Sequence, residues 1–392
     1  MAADAGVPLL DLKAQFAQIK DEVLPRVQEV FEQQAFILGP HVNRAEEELA
    51  AYLGAPHAVG VSSGTDALLL SLMALEVGPG DGVVTTPFTF FATAGSIVRL
   101  GALPLFADID PDTYNLDPAE VERLLGRDDL PARPKAMIPV HLFGQPAEMA
   151  RLNGLAEKHG LAVVEDAAQA IGAAYPPPAG GAPVKCGNLG HTGCFSFFPS
   201  KNLGGAGDGG LITCADDDLA VKLRSMRTHG SHPKEKYRHL WVGGNFRLDA
   251  VQAAVVSAKL PHLDDWSAAR RANAARYGGL LEQAGLLSRG QVSPPLVSWP
   301  DLPQAHVFNQ YVVRVQDRPG LMRHLAGRGI GHAVYYPTPL HLAECFAGLG
   351  HRPGDMPHAE KAAGEVLALP VFPELTEEQQ ATVVQAIKDF YG

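Results

Sequence analysis

The chain has 392 residues, 46% of them hydrophobic, and a formal net charge of −11. That length supports more than one folding unit, and the acidic balance argues against a nucleic-acid binder, which needs clustered basic surface. The N-terminal residues lack the basic and apolar regions of a secretory signal, and no run of about twenty apolar residues occurs, so no membrane span and a cytoplasmic location are expected. Cys186, Cys194, Cys214 and Cys345 form neither a C-x-x-C pair nor a ligand cluster, so no disulfide framework and no metal site are expected.

After a short extended arm, apolar residues at helical spacing (Phe16, Ile19, Val23, Val27, Val30, Phe31) predict a helix over 9–34 that lies outside the main sheet. Gly39 and Pro40 interrupt it, and Val42 to Leu53 reads as a second helix. From Ala58 the pattern becomes β-α-β. Strand-like runs at 58–62, 83–86, 103–108, 136–140 and 161–165 alternate with helical patterns, which predicts an α/β fold with a largely parallel sheet covered on both faces. Ligands of such sheets bind beyond the carboxyl ends of the strands, so those ends carry the functional interest.

The first strand runs into Ser62-Ser63-Gly64-Thr65-Asp66, directly ahead of an apolar helix. Small residues there suit either a plain N-cap or a seat for an anion, since the first-turn N–H groups are unpaired and the helix dipole favours negative charge. The second strand ends in an aromatic cluster, Pro87 to Thr93, which suits a core or a cofactor platform. The fifth delivers Glu165 and Asp166, with Gln169 three residues on. Carboxylates at the exit of a buried strand are costly without partners.

A further apolar run, Cys194 to Phe198, is broken by Pro199 and Ser200 just before Lys201, and five glycines follow between Gly204 and Gly210. Gly205, Gly207 and Gly210 spell G-x-G-x-x-G, yet they lead into a strand-like Gly-Leu-Ile-Thr-Cys214 rather than a helix, so a dinucleotide fingerprint is not expected. An anion seat, an aromatic plate, a carboxylate on one strand end and a lysine on another are the parts that pyridoxal phosphate requires. The lysine amine bonds the aldehyde, and the carboxylate keeps the pyridine nitrogen protonated.

Phe195-Ser-Phe-Phe-Pro-Ser-Lys-Asn-Leu-Gly204 with Gly207-Asp-Gly-Gly210 resembles the lysine motif of the DegT and StrS family of sugar-nucleotide aminotransferases, which have the type I aspartate aminotransferase fold. Pro8 to Lys13, Ser63 to Leu68, Thr89 to Thr93, Glu165 to Gln169, Gly244 to Asp249 and Tyr336 to His341 are similar to family motifs in the family's order. The resemblance implies a large domain with a mostly parallel seven-stranded sheet and a smaller C-terminal α/β domain. It makes Lys201 the Schiff-base lysine and proton shuttle, Asp166 the partner of the ring nitrogen, Gln169 that of the ring oxygen, and Phe90 the stacking aromatic, with Phe88 as a substitute. Gly64, Thr65 and Ser196 would hold the phosphate, completed by Asn245 from a partner subunit, which implies a homodimer with shared active sites. Tyr336, His341, Arg227 and His229 are the substrate-side candidates.

The expected domain division is 1–34 for an arm and helix packed with the small domain, 35–250 for the cofactor-binding domain, and 251–392 for a linking helix and the small domain. The expected reaction moves an amino group from an amino acid, by family analogy glutamate, to carbon 3 or 4 of a UDP- or dTDP-linked keto-sugar. Two alternatives are a sugar-nucleotide dehydratase of the same fold, against which Lys201 speaks because those relatives have histidine there, and a non-catalytic regulatory homologue.

Overall fold

A computed structural model describes residues 6–177 and 181–392. The first residues of the expected 1–34 unit lie outside these. Seven strands form the central sheet: β1 (His57–Val61), β2 (Asp81–Thr85), β3 (Leu103–Phe106), β4 (Arg133–Ile138), β5 (Ala162–Asp166), β6 (Thr192–Ser196) and β7 (Gly210–Cys214). Their order is β1-β7-β6-β5-β4-β2-β3. All neighbours pair in parallel except β7, which runs against both β1 and β6. The expected parallel sheet therefore carries one reversed strand, and the glycine run 204–210 is the turn that reverses it.

The register matters for function. Asp166 pairs with Cys194, Ser196 with Gly210, and Gly210 with Val61, so the carboxyl ends of β1, β5 and β6 meet the start of β7 at one edge. The strands are buried on both sides because helices cover both faces. On one face lie α3 (Gly64–Ala74), α4 (Ala92–Arg99) and α7 (Asp217–Met226), and Leu68, Leu70, Ile97 and Leu223 pack there against Val59, Val83 and Ile212. On the other face, α5 (Pro118–Leu125) and α6 (Met149–His159) cover Leu105, Met137 and Val163.

A second, antiparallel sheet joins β8 (Val292–Ser293), β9 (Tyr311–Val315) and β10 (Val366–Leu369). Its core takes Tyr277 and Leu281 from α9 (Leu263–Gln283), Leu321 and Leu325 from α10 (Arg318–Ala326), and Val383 and Ile387 from α12 (Glu377–Tyr391). Val7 of the N-terminal arm joins this core, and its carbonyl accepts from the Gly331 N–H. The helix that follows, α1 (Leu12–Gln33), packs elsewhere: Ile19 and Val23 bury against Val255 and Ala258 of α8 (Ala250–Lys259) and against Trp266. The linking helix breaks after Lys259 into one tight turn, Leu260–His262, before α9 begins. Pro261 has no N–H to continue the ladder. Pro40, read as an interruption, instead opens α2 (Pro40–Leu53) at its first position, where a missing N–H costs nothing.

Candidate active site

At the shared strand edge lies a cavity of about 490 Å³, lined among others by Gly64, Thr65, Phe90, Asp166, Gln169, Ser196, Lys201 and Tyr336. The cofactor-side residues inferred from the sequence thus meet in one place, apart from Asn245.

The β1–α3 turn forms one wall. Ser63 caps α3 by accepting from the Asp66 N–H at 3.0 Å, which leaves the first-turn N–H groups at Gly64 and Thr65 for other acceptors. A Cβ on Gly64 would come 2.8 Å from the Ser196 Cβ, so only glycine lets this helix end approach β6 so closely. An eleven-residue helix ending on small residues beside a hydroxyl is a fitting seat for a phosphate.

Opposite it, β5 ends on its two carboxylates, which point to opposite faces as strand geometry requires. Glu165 is fully buried and accepts from the Gly187, Leu189 and Gly190 N–H groups at 2.6–2.7 Å and from His141 Nε2 at 2.9 Å. His141 Nδ1 accepts the Ala147 N–H at 3.1 Å, so Nε2 is the donor. Glu165 is therefore a structural acid, saturated by backbone. Asp166 faces the cavity; its Oδ2 accepts from the Thr93 hydroxyl at 2.8 Å and its Oδ1 from the Ala168 N–H at 3.3 Å. Burial raises its pKa, opposed by these bonds and by the charge of Lys201.

Lys201 follows β6 in a tight turn. Its N–H bonds to the Phe198 carbonyl at 2.9 Å, and Gly204 packs so closely on the Pro199 carbonyl that no side chain fits. The turn is tied down from three sides. Lys259 Nζ donates to the Gly204 carbonyl at 2.8 Å, Gln252 Oε1 accepts the Ala206 N–H at 2.7 Å, and Asn202 donates to the Val307 carbonyl while accepting from Asn309, each at 2.9 Å. Burial pulls the Lys201 amine down to about 8, with Asp166 pulling it back up.

Phe90 is 58% exposed and lines the cavity, whereas Phe88 is fully buried against Tyr114 and Tyr336, which removes it as a stacking substitute. Gln169 Oε1 accepts the Phe143 N–H at 2.6 Å and its amide donates to the Tyr336 hydroxyl at 3.2 Å, so one N–H remains for a ligand.

Two substrate-side expectations are corrected. Arg227 is buried and spends its guanidinium on Glu46 and on the Gly60 carbonyl. His341 is buried away from the cavity, with Nε2 3.1 Å from Glu360. His229 lies outside the cavity of its own chain, its N–H donating to the Gly244 carbonyl and its carbonyl accepting from His239 Nδ1. Asn245 is exposed, on a segment bridged to Thr228 and outside the cavity of its own chain. Residues the sequence did not single out are Thr93, Asp208 and Gln310. Of these, Thr93 alone carried a signal, a hydroxyl one helical turn after Thr89.

A larger groove of about 1030 Å³ lies at the opposite sheet edge, where several polar residues serve the fold: Asn153 donates to the Leu189 carbonyl, His191 Nδ1 accepts from the Val163 N–H, and Asp216 caps α7. Among the described residues no cluster of metal-ligating side chains occurs, and no helix is long and apolar enough to cross a membrane.

A parallel-sheet edge that presents a half-buried lysine, a facing carboxylate and a phosphate seat defines a pyridoxal phosphate enzyme of fold type I. The chain belongs to the DegT/DnrJ/EryC1/StrS aminotransferase family, whose model matches residues 17–388. A protein of Geobacillus stearothermophilus named pleiotropic regulatory protein is 50% identical over 387 residues, covering 98% of this chain and 99% of its own length. A UDP-N-acetyl-3-dehydro-alpha-D-glucosamine 3-aminotransferase of Acidithiobacillus ferrooxidans is 42% identical over 390 residues, covering 99% of each chain. The crystal structure of S. venezuelae DesV, in complex with a ketimine intermediate, superimposes with a TM-score of 0.89 at 40% identity, covering 98% of each chain.

Proposed function

We propose that this aminotransferase moves an amino group from glutamate to carbon 3 of a UDP-linked keto-sugar. The observation that carries the reading is the shared cavity of Lys201 and Asp166 beside the α3 phosphate seat. The name of the Acidithiobacillus relative favours a UDP-linked sugar and carbon 3.

When bound, pyridoxal phosphate supplies an aldehyde carbon that takes up amines and a protonated ring that stores electrons. The chain does the rest. Gly64, Thr65 and Ser196 hold the phosphate, Asp166 supplies the negative charge for the ring nitrogen, Gln169 offers its remaining N–H to the ring oxygen, and Phe90 covers the ring. With its pKa at about 8, roughly a quarter of the Lys201 amine is neutral at pH 7.5 and can take a proton from the amino donor's alpha carbon. The same amine would return the proton to the carbon on the other side of the transferred nitrogen. Tyr336 closes the cavity from the second sheet's side and touches the incoming substrate.

In this reading the working unit is a cytoplasmic homodimer. Asn245 of the partner subunit completes each phosphate site, which accounts for its exposure in a single chain. Residues 35–250 bind the cofactor, 251–392 form the linking helix and small domain, and 1–34 the arm and first helix. Incubating the amino form of the holoenzyme with a panel of UDP-, dTDP- and GDP-linked keto-sugars tests the substrate. Discharge by a UDP-linked 3-keto-sugar is expected, and discharge only by 4-keto-sugars refutes the assignment.

The name of the Geobacillus relative favours a second reading, a regulator that binds cofactor without turnover. Glutamate separates the two: an enzyme converts the bound cofactor to its amino form, whereas a regulator leaves the spectrum unchanged.

A further inference from the structure

Behind the Asp166 carboxylate lies a pair of hydroxyls with no part yet in the reaction. Thr93, in the first turn of α4, has no exposed surface, and its Oγ1 lies 2.8 Å from Asp166 Oδ2 and 3.0 Å from Thr89 Oγ1. A threonine hydroxyl has one proton to give, and an ionised carboxylate can only accept. The Thr93 proton therefore goes to Asp166, and the contact between the two threonines has one direction, from Thr89 to Thr93. Thr89 lies on the cavity wall and Thr93 one helical turn behind it, so the chain of hydroxyls runs from the site's edge to the back of the carboxylate.

The Thr93 bond is the shorter of the two that Asp166 accepts, the Ala168 N–H being 3.3 Å away. It is also directed by a fixed donor. The Thr93 N–H bonds to the Phe90 carbonyl at 3.2 Å, which ties the helix start to the loop that carries the exposed aromatic. Buried in this way, a carboxylate tends to take up a proton. The Thr93 hydroxyl is the foremost group opposing that drift, followed by the Ala168 N–H and the charge of Lys201. Tyr336 and Cys194 also face Asp166, and burial raises both of their pKa values, which keeps them neutral.

We propose that Thr93 is a positioning residue for amino transfer, its hydroxyl aimed by Thr89 so that Asp166 stays a fixed acceptor turned towards the cavity. This rests on Asp166 being the partner of the cofactor's ring nitrogen. A ring held protonated by a fixed carboxylate binds more tightly and keeps its proton to higher pH than one facing a loose carboxyl.

The test uses the holoenzyme reconstituted with pyridoxal phosphate labelled with nitrogen-15 in the ring. The ring-nitrogen chemical shift is followed against pH, and cofactor affinity is measured by equilibrium dialysis. Thr93→Val should lower the pH at which the ring nitrogen loses its proton and weaken cofactor binding about 10- to 100-fold, the effect of removing one hydrogen bond to a charged group. Thr93→Ser, which keeps the hydroxyl, should restore both. Where valine does not fold, Thr93→Ala against Thr93→Ser makes the same comparison. Asp166→Asn is run alongside. If it moves the ring-nitrogen titration and loss of the Thr93 hydroxyl does not, the role of Thr93 is overturned while that of Asp166 stands. If Asp166→Asn moves nothing, the ring-nitrogen pairing fails and the proposal falls with it.

Discussion

Replacing Lys201 by Met in the cofactor-free protein should make the fold more stable at neutral pH while destroying the enzyme. The Lys201 amine titrates at about 8 in the folded chain instead of 10.5, chiefly because of burial. The unfolded chain therefore binds a proton up to pH 10.5 that the folded chain already releases near 8. Wild-type stability rises with pH across that window, and the full cost applies below it. At about 1.4 kcal/mol per pH unit the cost is roughly 3 kcal/mol at pH 7. It falls below about 1 kcal/mol at pH 10. Because the side chain keeps some contact with water, a gain of about 1–3 kcal/mol for Lys201→Met is the realistic range at pH 7. Urea midpoints of both proteins, at equal concentration and at the two pH values, measure it. A midpoint at pH 7 equal to or below wild type refutes the argument, as does a gain that does not shrink by pH 10.

Lys201→Ala should abolish transfer and the mass increase left by borohydride reduction of the holoenzyme; retained turnover would contradict the lysine's role. Phe88→Ala should cost about 3–5 kcal/mol of stability, as for a buried aromatic, whereas Phe90→Ala should change stability by less than about 0.5 kcal/mol but weaken cofactor retention. Arg227→Ala should destabilise by about 3–5 kcal/mol through the stranded Glu46. Its KM for the sugar nucleotide should match wild type at a temperature where both are folded. For the shared site, protomers carrying Lys201→Ala and Asn245→Ala should be inactive alone and regain activity when unfolded and refolded together; no recovery would place Asn245 in its own chain's site.

Much of the site was legible because the parallel β-α-β pattern brings strand ends to one edge, so Gly64, Asp166, Ser196 and Lys201 could be located without distances. The direction of β7 was not, since an apolar run reads the same either way along a strand. Arg227 and His341 were misplaced for a related reason. A basic side chain looks free in a sequence until its acid arrives, and Glu46 comes from 181 residues away while Glu360 sits on a separate helix, α11 (Pro357–Glu365), 19 residues on. Glu165 and Asp166 looked alike as neighbours, and only the strand's alternation together with the donors at 187–190 separates a structural acid from a functional one. Thr93 offered only its spacing from Thr89, and its role depends on Asp166, which reaches this helix from β5.

The turn that carries Lys201 is anchored by Asn202 to Asn309 and to the Val307 carbonyl, just ahead of β9, and by Lys259 on the linking helix. The reactive amine is thus held by chain from beyond the central sheet. A fragment ending after β7 and α7 would retain Asp166, the α3 phosphate seat and the lysine itself, yet lose the parts that fix where that lysine points. Splitting the chain into separately expressed halves should consequently remove catalysis before it removes anion binding.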